Sequence, residues 1–248
     1  MSPSITIGAM IALTLYQTSA RAADWYTGAM PQKDSSDWIV AVNTSVDITT
    51  QNSRFADVNG TFAPTGSLNQ SGARLRVDGV AGTYSYQSTE TGGTVHGAQE
   101  SGAALAGYEW IDPETSVAVY AGGDFRHDTL SIPDPSNPVI GSSFGLKASG
   151  EFNTRPTAST DVSGYASYET NKSAYFTRLR AGYLIAPNLY AGPEVAALGD
   201  AFFNQERVGL YLGGMKFGNV RFALASGYLY DRVRKGGAYA SLDARLGF

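Results

Sequence analysis

Apolar and polar side chains alternate with a period of two over segments of ten or more residues, from Trp38 to Phe248. In the last segment Ala238, Ala240, Leu242, Ala244, Leu246 and Phe248 share one parity; Tyr239, Ser241, Asp243 and Arg245 share the other. A strand sends alternate side chains to opposite faces, so this segment has one apolar and one charged face. The pattern recurs. Val40, Val42, Val46 and Ile48 oppose Asn43, Ser45 and Asp47; Leu75 and Val77 oppose Arg74, Arg76 and Asp78. Val117, Val119 and Phe125 oppose Tyr120, Asp124 and Arg126, while Leu179, Tyr183 and Ile185 oppose Arg178 and Arg180. Leu189 and Val195 oppose Tyr190 and Glu194, and Val208, Leu210 and Leu212 oppose Arg207 and Tyr211. The segments are longer than the five or six residues usual in a soluble sandwich, and charge recurs through their middles.

No segment after Ala22 is apolar enough for a transmembrane helix. Strands cross lipid only in a closed barrel, because an open edge would leave backbone N–H and C=O groups unpaired in hydrocarbon. The expected fold is therefore all-β: a closed, antiparallel, up-and-down transmembrane β-barrel of about 12 strands. Twelve segments begin near Trp38, Arg54, Ala73, Ser101, Ser116, Ser142, Ser159, Ala174, Asn188, Gln205, Asn219 and Gly236. Connections fit the same fold. Ile111 to Glu114, Ala186 to Asn188 and Phe217 to Asn219 read as tight inner turns. Gln87 to Glu100 and the proline-broken stretch Thr129 to Gly141 read as longer outer loops. Pro64 to Gly72 is a longer inner link. Trp38, Tyr108, Trp110, Tyr183, Tyr228 and Tyr230 stand near segment ends, as girdles at two lipid interfaces would.

Ahead of the alternating region, Ile5 to Tyr16 is a short apolar run, followed by Ser19-Ala20-Arg21-Ala22 with an Ala-x-Ala cleavage pattern. This reads as a signal peptide over 1–22, although the first four residues lack Lys and Arg. Residues 23–37 are expected to form a periplasmic N-terminal lead-in, with Trp25 to Asp37 facing a periplasmic partner; 38–248 form the outer-membrane β-barrel domain, placing the protein in a bacterial outer membrane. Cysteine is absent, so no disulfide framework holds the sheet. A net charge of −4 with no basic stripe argues against a nucleic-acid partner. The C-terminal alternating strand ending in Phe248 resembles the signal through which barrel-assembly machinery recognises its clients, with Asp243 where that signal often has glycine.

Chemistry is sparse. Two histidines, His96 and His127, are too few for a His-based metal site, and no Gly-x-Ser-x-Gly motif is present. No catalytic, cofactor-binding or metal-binding residues are expected. The informative residues are the inward-parity charges and tyrosines: Arg74, Arg76, Asp78, Asp124, Arg126, Arg178, Arg180, Glu194, Arg207, Tyr211, Asp243 and Arg245. A three-residue turn at Ala186-Pro187-Asn188 sets Arg180 opposite Glu194, in reach of an ion pair. Such an interior serves either as a pore eyelet for sugars or anionic solutes or as a packed, salt-bridged core; about twelve strands leave room for both. Tyr84, Tyr120, Tyr190 and Tyr211 share the inner parity and either fill space or stack on sugar rings. Arg232, Arg234 and Lys235 form a small basic cluster suited to lipopolysaccharide phosphates at the outer-membrane lipid surface.

Several stretches resemble a known family. They are Gly72-Ala73-Arg74-Leu75-Arg76 running to Tyr84-Ser85-Tyr86, and Arg178-Leu179-Arg180-Ala181-Gly182-Tyr183 followed by Ala186-Pro187-Asn188. Gly192-Pro193-Glu194, Ala196-Ala197-Leu198-Gly199 and Gln205-Glu206-Arg207-Val208-Gly209 complete the set. In these the chain resembles the BcsS family of alphaproteobacterial cellulose-biosynthesis proteins, regarded as outer-membrane barrels. The motifs are strand patterns, so the resemblance carries over no catalytic residue. It implies a non-enzymatic role in cellulose or exopolysaccharide production or export, with cellulose synthase components or glucan chains as partners. A narrow channel for sugars or small anions, and an outer-leaflet enzyme acting on lipid or glycan through His96 or His127, are the alternatives.

Overall fold

The computed structural model describes Thr27 and residues 38–248. The expected signal peptide and nearly all of the lead-in lie outside the described residues. Twelve strands follow in order: β1 (Val40–Thr49), β2 (Arg54–Phe62), β3 (Gly72–Ser88), β4 (Gly93–Ile111), β5 (Thr115–Leu130) and β6 (Gly141–Thr157). Then come β7 (Thr160–Glu169), β8 (Ala174–Ala186), β9 (Leu189–Gly199), β10 (Asn204–Phe217), β11 (Val220–Asp231) and β12 (Lys235–Gly247). Each pairs antiparallel with its sequence neighbours, and β12 pairs with β1 to close the barrel. The seam is regular from Ala41↔Gly247 to Thr49↔Tyr239, and Phe248 N–H extends it by donating to Val40 O at 2.9 Å. Closure leaves no edge.

Local chemistry sets the turns. In the two-residue link between β8 and β9, Pro187 fixes one φ and Asn188 takes the left-handed conformation at φ 62°. Near its end β10 carries a bulge between Leu212 and Met215, where Gly214 adopts φ 84°. The Gly214 N–H, freed from the ladder, donates to Thr27 O at 3.0 Å. Thr27 is itself fully buried against Gly213, so this point of the expected lead-in lies against the barrel wall.

The wall has inverted polarity. Its outward residues are aliphatic and exposed, among them Val77, Val119, Leu146, Leu179, Val208 and Leu210, the last 69% exposed. Its inward residues are polar and buried; Arg180 is 1% and Asp243 0% exposed. Aromatics bracket the aliphatic band. Phe62, Tyr108, Trp110, Tyr183 and Phe217 ring the end that holds the termini; Phe125, Phe144, Tyr168, Tyr228 and Tyr230 ring the far end. Along β11 ten residues separate Val220, at the first ring, from Tyr230 at the second. With strands tilted about 40°, that spans roughly 25 Å, the height of a barrel's lipid-facing band.

One expected loop is instead strand. Gln87 to Glu100 belongs almost wholly to a long hairpin, β3 running to Ser88 and β4 starting at Gly93. Glycine and small polar residues obscured its alternation. Tyr84 lies over the directly paired Gly97, where no side chain could fit beneath the ring. Residues 131–140 do form the long far-end loop, and the inner link between β2 and β3 is also long.

Candidate functional site: the barrel interior

The inward parity of each strand delivers polar groups to one enclosed space, and pairing across that space decides what they can do. Near the termini end, Arg74 on β3 is held by Glu109 on β4 at 2.7 Å and donates to Gln70 O and Ala73 O. One turn of the pleat further, Arg76 bonds Asp78 at 2.6 Å and reaches Glu151 on β6 at 3.0 Å, past the two intervening strands. Its guanidinium lies 5.3 Å from the Tyr120 ring and 5.7 Å from that of Tyr165. Lys147 on β6 stands 3.1 Å from both Asp78 and Glu169.

The other half of the barrel has a second network. Arg180 lies opposite Glu194 in the β8–β9 register and donates to it at 2.5 Å. It also bonds Asp243 on β12 at 2.8 Å, past three intervening strands, and Arg178 meets the same carboxylate at 3.3 Å. Tyr239 donates to the second oxygen of Glu194 at 2.8 Å, and Tyr211 lies 5.2 Å from the Arg180 guanidinium. Arg207 on β10 bonds Asp47 on β1 at 2.6 Å. These pairs run as chords across the lumen. A buried pair stripped of one partner costs about 3–5 kcal/mol, so the chords resist opening.

Asp124, Arg126 and Arg245 complete the expected set. Arg126 turns away from Asp124, taking Asp128 at 2.8 Å and Asp200, in the β9–β10 link, also at 2.8 Å. Asp124 is buried, and neither of its carboxylate oxygens has a hydrogen-bond partner among the described residues. Arg245 is half-buried on β12 at the termini end, in register with Asn43 and Arg221.

The interior divides into two levels. At the termini end it is filled by Tyr120, Tyr190, Tyr211, Arg74 and Arg180, all nearly fully buried. Above them lies a cavity of about 260 Å³, floored by Asn59, Arg76, Arg178 and Glu194 and rimmed by Ser53, Asp200, Phe203 and Arg234. The tall β3–β4 hairpin leans over it. Tyr86 packs its ring 4.9 Å from Phe202 on the diametrically opposite link, and the 131–140 loop braces it, with Tyr86 donating to Asp134 at 2.9 Å and accepting from Asn137 at 3.1 Å.

One expected surface cluster changes on folding, and the two histidines stay outside the lumen. Arg234 turns inward to Asp231 at 2.7 Å and to the Ser53 hydroxyl, leaving Arg232 and Lys235 exposed in that cluster. His96 is exposed on β4; His127, on the outward face of β5, places Nδ1 2.8 Å from Ser142 Oγ.

Sequence reasoning placed Asp47 and Tyr239 on polar faces without counting them in the interior set, and missed Glu109, Lys147, Glu151, Glu169 and Asp200. For Lys147 and Glu151 the signal was present, since they share one parity with Ser149 on β6. For the chords no local signal exists, because they depend on closure.

The model for the cellulose biosynthesis protein BcsS matches residues 44–248, essentially the whole barrel. The chain belongs to the BcsS family. Its three resemblance-bearing stretches supply Arg74, Arg76, Arg178, Arg180, Glu194 and Arg207 to the interior just described. No curated protein matches this BcsS-family chain. Among solved structures it is similar to the KdgM porin, at 10% identity over 84% of this chain and 99% of that one, with a TM-score of 0.47. It is also similar to the translocator domain of the autotransporter NalP from Neisseria meningitidis, at 14% identity, 84% and 88% coverage and a TM-score of 0.46. A third is the outer membrane protein Omp33 of Acinetobacter baumannii, at 11% identity, 85% and 98% coverage and a TM-score of 0.38.

Proposed function

We propose that this BcsS-family barrel sits in the bacterial outer membrane and acts there, without catalysing a reaction, in the production or export of cellulose. The observation that carries the membrane assignment is the inverted wall, with an aliphatic band between two aromatic rings outside and paired charges within. Membership of the family supplies the tie to cellulose. In this reading residues 1–22 are a signal peptide, 23–37 a periplasmic lead-in, and β12 the strand that the barrel-assembly machinery engages. Partners are outer-membrane lipid and lipopolysaccharide outside, and glucan or cellulose synthase components at the ends of the barrel.

Deletion of the gene tests the reading. Cellulose output is expected to change while permeability to small solutes stays as before; unchanged output would overturn it. A second reading, a narrow channel, is favoured by the cavity. It requires conductance in planar bilayers that rises when Arg180→Ala or Glu194→Ala loosens the chords, and a purified barrel that conducts nothing would remove it. Outer-leaflet enzymology through the His127–Ser142 pair requires an activity lost in His127→Ala.

A further inference from the structure

The cavity above the filled level has a charge balance that its individual arginines conceal. Its lining holds six cations and six carboxylates. Every one of those cations already has a carboxylate within 3.3 Å: Arg76 with Asp78, Arg126 with Asp200, Lys147 with Glu169, Arg178 with Asp243, Arg207 with Asp47, and Arg234 with Asp231. An anionic ligand would have to displace a resident carboxylate and leave it buried without its partner, which opposes binding strongly. A cation meets the converse obstacle at Asp47, Asp78, Glu169, Glu194 and Asp200, each already held by an arginine or lysine. The rest of the lining includes uncharged groups: the ring of Phe55, the rings of Tyr165, Phe176 and Phe203, each also met by an arginine guanidinium at 5.7, 6.0 and 5.9 Å, and the Ser241 hydroxyl, which is buried and has no hydrogen-bond partner among the described residues. A buried hydroxyl left unpaired by its own chain is a place where an external partner is expected. Aromatic faces carry negative quadrupole density, which attracts the polarised C–H face of a pyranose ring.

We infer that this cavity is a binding site for the end of a neutral glycan, a glucan in preference to an acidic polysaccharide. The choice of glucan rests on the cellulose reading above; the neutrality rests on the pairing alone. Charged side chains there hold one another, orienting hydroxyl-binding oxygens and guanidinium N–H groups without presenting a net field. Phe203, on the far-end link between β9 and β10, belongs to no ion pair itself; its ring lies 5.9 Å from the Arg234 guanidinium, which Asp231 holds independently at 2.7 Å.

The test is calorimetry on the full detergent-solubilised protein with cellotetraose and, separately, tetragalacturonate, for the wild type, Phe203→Ala and Ser241→Ala. Retained mobility shift on boiling shows that each variant is folded. Cellotetraose is expected to bind, tetragalacturonate not; Phe203→Ala is expected to weaken cellotetraose about tenfold, as loss of one buried aromatic contact does, and Ser241→Ala by a smaller factor. Binding of the uronate as tight as that of cellotetraose, binding of neither, or cellotetraose binding untouched by both substitutions would each overturn the inference. The two claims separate in cells. Normal cellulose output from a strain carrying Phe203→Ala, alongside altered output on full deletion, would sink the glycan site and leave the accessory role standing.

Discussion

Replacing Arg180 with Met should destabilise the barrel sharply, by an amount the interior geometry fixes. Arg180 is 1% exposed and bonds two carboxylates, Glu194 at 2.5 Å and Asp243 at 2.8 Å. Methionine fills much of the volume and supplies no charge, so both carboxylates lose a buried counter-ion. Removing one member of a buried ion pair costs about 3–5 kcal/mol. The lower end applies here, because Glu194 keeps the Tyr239 hydroxyl at 2.8 Å and Asp243 keeps Arg178 at 3.3 Å. With urea slopes of about 1–3 kcal/mol/M, a loss of about 3 kcal/mol lowers the midpoint by roughly 1–3 M. The assay is urea unfolding in detergent, scored as the fraction that resists denaturation on an unboiled gel. The double variant Arg180→Met with Glu194→Gln removes the stranded charge along with the cation, so it should be more stable than Arg180→Met alone. A midpoint within about 0.3 M of wild type for Arg180→Met, or a double variant worse than the single, would refute the argument that the chords hold the lumen together.

Three further outcomes follow from the same geometry. Leu210→Arg places a charge near the middle of the lipid-facing band and should cost about 2–4 kcal/mol, seen as reduced folding into lipid vesicles; normal folding yield would contradict the wall assignment. Gly107→Val sets a side chain against Val119 O and the Tyr120 ring, where even a Cβ would stand 2.1 Å and 2.6 Å away, and should cost about 1–3 kcal/mol in the same urea assay. Asp134, in the far-end loop outside the membrane, is held down at about 2 from its ordinary 3.8 chiefly by the Ser136 hydroxyl. A carboxyl lowered on folding stabilises the loop at every pH above its unfolded value and loses that contribution only as pH falls through about 2. Hydrogen exchange over 131–140 should therefore show equal protection at pH 7 and pH 5 in the wild type and reduced protection in Asp134→Asn; loosening of the wild-type loop by pH 5 would contradict it.

The alternation made the barrel legible, because a period of two needs no tertiary information. Eleven of the twelve strand starts fall within two residues of where the pattern puts them. The exception, β4, begins eight residues earlier than Ser101, since Gly92, Gly93 and Gly97 have no side chain to show a parity. Parity also assigned Arg74, Arg180 and Asp243 to one face. The turn at Ala186-Pro187-Asn188 also gave Arg180 its neighbour Glu194; what could not be supplied were the partners on distant strands. Arg207 and Asp47 are 160 positions apart in sequence and meet only because β12 closes on β1. The same limit hid the division into a filled level and a cavity, which depends on side chains from opposite walls. Arg234 shows the converse error: three basic residues in one short loop read as a surface cluster, yet Asp231 three positions earlier captures one of them.

The most direct test of a charged-inside, apolar-outside membrane barrel is heat-modifiability after separation of inner and outer membranes. The protein is expected in the outer-membrane fraction, migrating as a compact band when unboiled and shifting when boiled. A soluble periplasmic protein with no shift would contradict the account, and the exposed aliphatic band would then need a dry partner to cover it.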